Sequence, residues 1–564
     1  MELSKRALMP SVDARLADLV ARYAATDAIA GRVGYHLYLR AFQDGNGDGI
    51  GDLLGVTKRL PYLAALGITD LMLGPVHEYD RRGLDTVYAV TDYRAVATEF
   101  GGVDALRSLA AAARAHGIRP WADFVANHVS INHPWAQAVL ANPDAPERDF
   151  FFIMTEEEAL RRFGQKHNQF SDRYDRPWSP LPGSDGLVVL HSFFHDQWDL
   201  NFGNPVVRAA MADNLRWLFE MGISARLDAC TFLGKEDGTD CESRPFTFEL
   251  LREWRTIAGK YGTLLLGESC QPVDRWVQYL ASGVLDTAYQ FDWMGDVWLA
   301  FIAGDVRRLR EGLERRPLTA GMSSTFLRNH DELTVATVDD ADLGAFARTG
   351  SPMINGGLKA RLAWLAGRDP QVIRALHATL LFSWGLPWIY QGDELGVVGD
   401  VSLDDRGASR TVMQWTDEPP HYGFSTAQRL GMPVGDHPGM ANVTTLTGVR
   451  GMPLEDLRAL IGLRQATPAL RFGGREQLVD TGDGQADGRP IHAFVRTEEH
   501  TGDTVLVVIN TSSSPALASL DLSEWRGREL EVLPGGPALG TVGDERFSLL
   551  VDRYGVWVIR LAHR

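Results

Sequence analysis

Four short segments concentrate the residues that could do chemistry. IRPWADFV runs into Asp123, Asn127 and His128, ISARLDAC carries Arg226 and Asp228, TLLLGE ends on Glu268, and SSTFLRNHD ends on Asn329, His330 and Asp331. A single Asp just after a strand is most often a helix cap. Several carboxylates joined by two histidines and an arginine, each at the end of a strand-like run, point instead to a site equipped for proton transfer and nucleophilic attack.

The elements that must position these groups are visible as an alternation. Strand-like runs at 34–42, 68–75, 118–125, 223–230, 263–268, 286–293, 323–331 and 387–394 are separated by amphipathic helical runs such as VDALRSLAAAARAHG and RPFTFELLREWRTIAGKYG. Alternating β and α runs predict a parallel sheet with helices outside. Eight such units, with no Gly-rich dinucleotide turn after the first strand, predict a (β/α)₈ TIM barrel, whose active site lies at the C-terminal strand ends. The barrel is expected over 34–128 and 204–470. Residues 129–203, rich in His, Asp, Pro and aromatics, are too long for a loop and predict an inserted domain after strand three. Residues 471–564 alternate with period two in DTVLVVINTS, RELEVLPG and YGVWVIRLA, predicting a C-terminal antiparallel β-sandwich. Residues 1–33 read as a helical extension.

Composition narrows the partners. The 564-residue chain has a formal charge of −17, which disfavours nucleic acid and anionic membranes and suits a neutral substrate. No window reaches the run of about 18 apolar residues that a membrane span needs, and no secretory signal is visible. A cytoplasmic enzyme is expected, with no organic cofactor, and self-association is left open. Three cysteines, Cys230, Cys241 and Cys270, lack the pairing of a disulfide framework or a zinc site and read as inert thiols.

The segments ADFVANH, GISARLDAC, LLLGE and FLRNHD resemble, in order and residue type, the four signature regions of the α-amylase superfamily, glycoside hydrolase family 13. The resemblance implies that Asp228 is the nucleophile, Glu268 the acid/base and Asp331 the carboxylate that clamps sugar hydroxyls in the transition state. Retaining glycosidases hold two carboxyls about 5–5.5 Å apart, which neighbouring strands can supply. Arg226, two residues before Asp228 and so on the same strand face, is expected to keep the nucleophile ionised by charge pairing, while Glu268 needs a raised pKa. Asp85 and Tyr88 in DTVYAVTDY, with Arg406 in DDRGASRTVMQW, are similar to the groups that close the pocket of exo-acting members around one glucose. Asp85 and Arg406 are expected to form an ion pair, with Tyr88 on the sugar and His128 and His330 on its hydroxyls. Gln197 completes the expected substrate-binding set with Arg226.

The loop DGNGDGIGD places Asp44, Asn46, Asp48, the Ile50 carbonyl and Asp52 at alternating positions, an oxygen cage suited to a structural Ca²⁺ or Mg²⁺. It resembles a cation loop of the oligo-1,6-glucosidase and trehalose synthase branches. Where the trehalose synthase branch has an acidic residue for a second cation, this chain has Lys235, expected to pair with Asp199 in its place. Two activities follow from the resemblance, both on neutral α-linked glucosides such as maltose, trehalose and sucrose. FLRNHDELT, DDRGASRTVMQW and EDGTDCESRPFTFELLREW resemble the trehalose synthase branch and imply a glucosyl-transferring isomerase. SFFHDQWDLNFGNP and the FLGK after Asp228 resemble amylosucrases and leave α-glucoside or sucrose hydrolysis as the alternative. A non-catalytic binding subunit would have lost a carboxylate, and this chain keeps all three.

Overall fold

The computed structural model describes residues 29–82, 86–315, 322–481 and 490–563. Residues 1–28 of the expected helical extension therefore lie outside the described residues. Eight parallel strands close into a barrel: β1 (Gly34–His36), β2 (Asp70–Pro75), β3 (Arg119–Val125), β4 (Ser224–Asp228), β5 (Leu265–Gly267), β6 (Thr287–Tyr289), β7 (Met322–Phe326) and β8 (Leu386–Tyr390). Each is bonded to its sequence neighbours, and β1 closes the ring on β8. These are the eight runs expected from the alternation.

The sequence states most of the local reasons. Helices α1 (Leu53–Leu66), α2 (Pro205–Glu220), α3 (Pro245–Tyr261), α4 (Pro370–Phe382) and α5 (Pro453–Ala466) pack outside the strands, and four of them begin with proline. Proline fits the first helical position, where its missing N–H is not needed. Asn204 and Asp369 cap α2 and α4 by accepting from Val206 N and Gln371 N. Inside the barrel, Trp121 meets Trp388 edge-on at 6.0 Å. A Cβ on Gly34 would lie 2.3 Å from the Trp388 ring, so Gly34→Ala would force the barrel open at β1.

The chain leaves β3 through His128–Ser130, which pairs antiparallel with Gln197–Asp199 on its return. This ladder zips together the two ends of the inserted segment. Within it, Ile153–Thr155, Trp178–Pro180 and Leu187–Leu190 form a three-stranded antiparallel sheet. Its core of Phe152, Met154, Phe163, Trp178 and Leu190 also takes in Cys241, which reaches across from the loop after β4.

At the C-terminal end, six antiparallel strands form one sheet, in the order Gln477–Leu478, Ile491–Thr497, Thr504–Asn510, Val556–Ala562, Glu529–Val532 and Ala538–Thr541. A separate pair joins Ala516–Leu520 to Phe547–Val551. Thr504–Asn510 is buried at every position because both of its faces are covered. Val505, Val507 and Ile509 join the large core shared with the barrel, while Leu506 and Val508 join the sheet's own core. Among the described residues no helix is long and apolar enough to cross a membrane.

Candidate active site

Strands β3, β4 and β5 lie side by side, and their C-terminal ends share one guanidinium. Register opposes Arg226 to Asp123, and Arg226 Nη1 donates to both Asp123 oxygens, at 2.7 and 2.8 Å. The same nitrogen donates to Asp228 Oδ1 at 2.7 Å, and Nη2 is paired with Glu268 Oε1. One arginine thus faces three carboxylates in a dry setting, where ionising all of them is costly. Burial pushes Asp228 up to about 7, Glu268 to about 7 and Asp123 to about 6, with Arg226 opposing the rise in each. The pairing of Arg226 with Asp228 is as expected from the sequence. Arg226 favours the ionised form of Asp228 as expected, and because its charge is divided among three acids it does not outweigh burial.

Two backbone details position Glu268. Ala229, directly after Asp228, has a left-handed φ of 49°, and its N–H donates to Glu268 Oε2 at 3.2 Å. Non-glycine residues rarely hold this conformation, and it costs on the order of 1 kcal/mol. A Cβ on Gly267 would meet Leu285 at 2.3 Å and Cys230 Sγ at 3.1 Å, so glycine is required before the acid. Cys230 Sγ lies 3.2 Å from the Glu268 carbonyl oxygen.

Beyond β7 the balance reverses. Asp331 Oδ1 receives Arg406 Nη1 and Arg410 Nη2, both at 3.0 Å, and His330 Nε2 lies 3.5 Å away. Arg406 also forms a two-point pair with Glu332, at 2.7 and 3.3 Å. Burial opposes the charge on Asp331, but Arg406, His330 and Arg410 outweigh it and hold the group far below the usual carboxylate range.

A cavity of about 280 Å³ opens between these two groups, lined by Tyr88, His128, Gln197, Asp228, Glu268, Asp331 and Arg406. It is at the small end of ligand pockets. Phe170, Phe193 and Phe194 of the inserted segment complete its wall with Phe232. Gln197 Nε2 is buried without a hydrogen-bond partner among the described residues, so a sugar hydroxyl would satisfy it. His128 Nε2 lies 3.2 Å from the Tyr88 carbonyl oxygen.

Arg226 and His330, expected to touch substrate, are buried next to the residues that line the cavity. The His330 ring lies nearly parallel to those of Tyr38 and Tyr88, with centroids 5.9 and 5.7 Å away, and its Nε2 lies 2.5 Å from the Tyr88 hydroxyl, which also donates to Asp123 at 2.9 Å. Asp85, expected opposite Arg406, lies outside the described residues. Lys235 sits where expected, 3.0 Å from Asp199 Oδ2, and donates to Asn127 Oδ1 at 2.7 Å.

The cation loop is mostly engaged by its own backbone. Asp44 accepts from the N–H groups of Asn46, Gly47 and Gly49, and Asp52 accepts from those of Gly45, Asn46 and Gly55, capping α1. Asn46 Nδ2 donates to Asp48 Oδ2 at 3.0 Å. Burial raises the pKa of Asp52, and the nearby Asp44 charge adds to the rise. The loop gathers three carboxylates and an amide oxygen, donors of the kind a hard cation takes, already engaged by hydrogen bonds within the loop. Among the described residues no group of three or more His, Cys, Asp or Glu side chains gathers as a metal site.

Sequence reasoning missed Arg410 and Glu332 as members of the site. Arg410 lies four residues after Arg406 in DDRGASR, and Glu332 directly follows Asp331, so adjacency was the available signal. Nothing in the sequence marks Ala229 as left-handed.

A closed barrel with a carboxylate pair on adjacent strands β4 and β5 defines the class of barrel glycosidases and glucosyl transferases. The chain belongs to the α-amylase family, glycoside hydrolase family 13: residues 36–473 match its alpha amylase catalytic domain, and residues 485–558 match the maltogenic amylase C-terminal domain. It is 32% identical over 548 residues to the trehalose synthase/amylase TreS of Mycobacterium tuberculosis, covering 93% of this chain and 89% of that one. It is also 32% identical over 554 residues to a trehalose synthase of Pimelobacter sp., covering 93% and 94%. Among solved structures, the trehalulose synthase MutB of Pseudomonas mesoacidophila matches with a TM-score of 0.76 at 25% identity, covering 94% of this chain and 99% of that one.

Proposed function

We propose that this enzyme moves an α-glucosyl unit within small disaccharides, interconverting maltose and trehalose through a covalent glucosyl-enzyme intermediate. Asp228 attacks the anomeric carbon while Glu268 protonates the departing oxygen, and Glu268 then takes a proton from the hydroxyl that recaptures the glucosyl unit. Asp331, locked as an anion, accepts hydrogen bonds from sugar hydroxyls that tighten as positive charge develops. The carrying observation is that Asp228 and Glu268 are held by the same guanidinium at a cavity walled by the inserted segment's aromatics. A small cavity walled by the inserted segment's aromatics favours glucose over water as the acceptor. The trehalose synthase relatives support the same reading.

Incubation with maltose, trehalose and sucrose, followed by proton NMR, tests it. We expect maltose and trehalose to interconvert, with glucose a minor product released first as the α-anomer. Glucose as the sole product would make the chain an α-glucosidase, and initial β-glucose would overturn the covalent route. We further propose that Asp44, Asn46, Asp48, the Ile50 carbonyl and Asp52 hold a structural Ca²⁺ or Mg²⁺. A melting temperature that falls in chelator and recovers with either ion supports this, and an unchanged one rejects it.

A further inference from the structure

The loop after β4 contains a strained turn that the chemistry above does not use. Cys241 and Ser243 have φ of 59° and 52°, a left-handed conformation that residues other than glycine rarely adopt. The turn is held from several directions. Cys241 N donates to Thr239 Oγ1 at 3.1 Å, Glu242 N to Asp240 Oδ1 at 3.0 Å and Ser243 N to the Thr231 carbonyl at 2.8 Å. The Cys241 side chain is also anchored in the core of the inserted segment. Strain maintained by this much surrounding structure is a mark of functional positioning.

The residue presented between the two strained positions is Glu242, and it lines the cavity beside Gln271. A chain of hydrogen bonds sets the pair. The Tyr279 hydroxyl lies 2.7 Å from Ser243 Oγ, which donates to Gln271 Oε1 at 2.5 Å, and Gln271 Nε2 then donates to Glu242 Oε2 at 2.9 Å. A carboxylate can accept at both oxygens, so capacity remains for hydroxyls of a ligand. Gln271 is three residues beyond Glu268, on the side of the group that protonates the departing oxygen.

We propose that Glu242, oriented by Gln271 as a positioning residue, recognises the leaving and returning sugar by accepting hydrogen bonds from its hydroxyls. This rests on the reading that the cavity takes a small α-glucoside. An anionic acceptor favours a polyhydroxylated partner over an apolar one, and loss of one such charged hydrogen bond lowers selectivity about ten- to hundredfold.

The test compares kcat/KM on maltose with that on p-nitrophenyl α-glucoside, whose leaving group offers no sugar hydroxyls. In Glu242→Gln the maltose-to-nitrophenyl ratio is expected to fall ten- to hundredfold, and in Gln271→Leu by less, with both variants keeping the wild-type pH profile. A merely structural role would lower both substrates alike. Equal losses, or a ratio within twofold of wild type in both variants, would overturn the proposal. If the wild-type enzyme ignores maltose but cleaves sucrose, the substrate reading fails separately, and the same ratio taken with sucrose decides the role of Glu242.

Discussion

The two sides of the active-site mouth carry the same kinds of residue with opposite electrostatics. On the β3 to β5 side, one arginine is shared by Asp123, Asp228 and Glu268, and burial raises all three acids. Beyond β7, two arginines serve Asp331 and Glu332, and Asp331 is held as an anion. The ratio of guanidinium to carboxylate, more than burial alone, decides where a proton can live. Proton exchange is confined to the side that must form and break bonds, while the carboxylate that answers developing positive charge stays charged throughout.

The largest expected break in this contrast is loss of the nucleophile. Asp228→Asn should lower turnover by about four or more orders of magnitude with the fold intact, because it removes the attacking charge. Steady-state rates on an α-glucoside check it, and a variant that kept a tenth of wild-type turnover would refute the assignment.

Next is Asp331→Asn, which removes the carboxylate shared by Arg406 and Arg410 and leaves Arg406 its pair with Glu332. Loss of the charge-assisted bonds to Asp331 should cost about 1.5–3 kcal/mol of stability, in addition to lost activity. Asp331 has a lowered pKa in the fold, so its contribution is present above the unfolded pKa near 4 and lost as pH falls through the folded value. Urea unfolding at pH 7 should expose the deficit, and an unchanged midpoint would deny the anion its structural part.

Asp228→Asn should do the reverse to stability. The raised pKa of Asp228 means that the fold holds a proton the unfolded chain has lost, so the wild type loses stability as pH rises from about 4 to about 7. The amide escapes this loss, and the variant should be more stable by roughly 1–4 kcal/mol at pH 8, with the gap closing towards pH 5. Unfolding of both proteins at the two pH values measures it, and a gap that widened on acidification would contradict the assigned direction.

The same pair predicts a narrow bell for kcat/KM. Acid protonates Asp228 and alkali strips Glu268, so activity should peak near pH 7 and fall about tenfold per unit well away on either side. With α-glucosyl fluoride, whose leaving group needs little acid help, the alkaline limb should flatten. A persistent limb would place that ionisation elsewhere. The smallest effect is expected at the thiols. Burial raises Cys230, and Cys270, exposed at the cavity, has the Glu268 carboxyl nearby to oppose a thiolate, so neither is expected to act as a nucleophile, and Cys230→Ser with Cys270→Ser should alter turnover less than tenfold.

The sequence by itself determined the barrel, because eight alternations of buried strand and amphipathic helix leave few other ways to bury the apolar faces. It determined the C-terminal sheet through period-two strands such as Thr504–Asn510, and it located Asp228, Glu268 and Asp331 because signature segments put them at strand ends. It also marked Lys235 as the partner of Asp199, since an ammonium stands where relatives of that branch have an acid. Tertiary structure alone decided that Arg226 is divided among three carboxylates and that His330 bonds Tyr88. It alone set the left-handed turns at Ala229, Cys241 and Ser243 and brought Arg410 to Asp331 across 79 residues of chain. Periodicity and spacing record which face of an element is buried. They do not record how many charges will share one buried guanidinium, because that number depends on loops that meet only when the barrel closes.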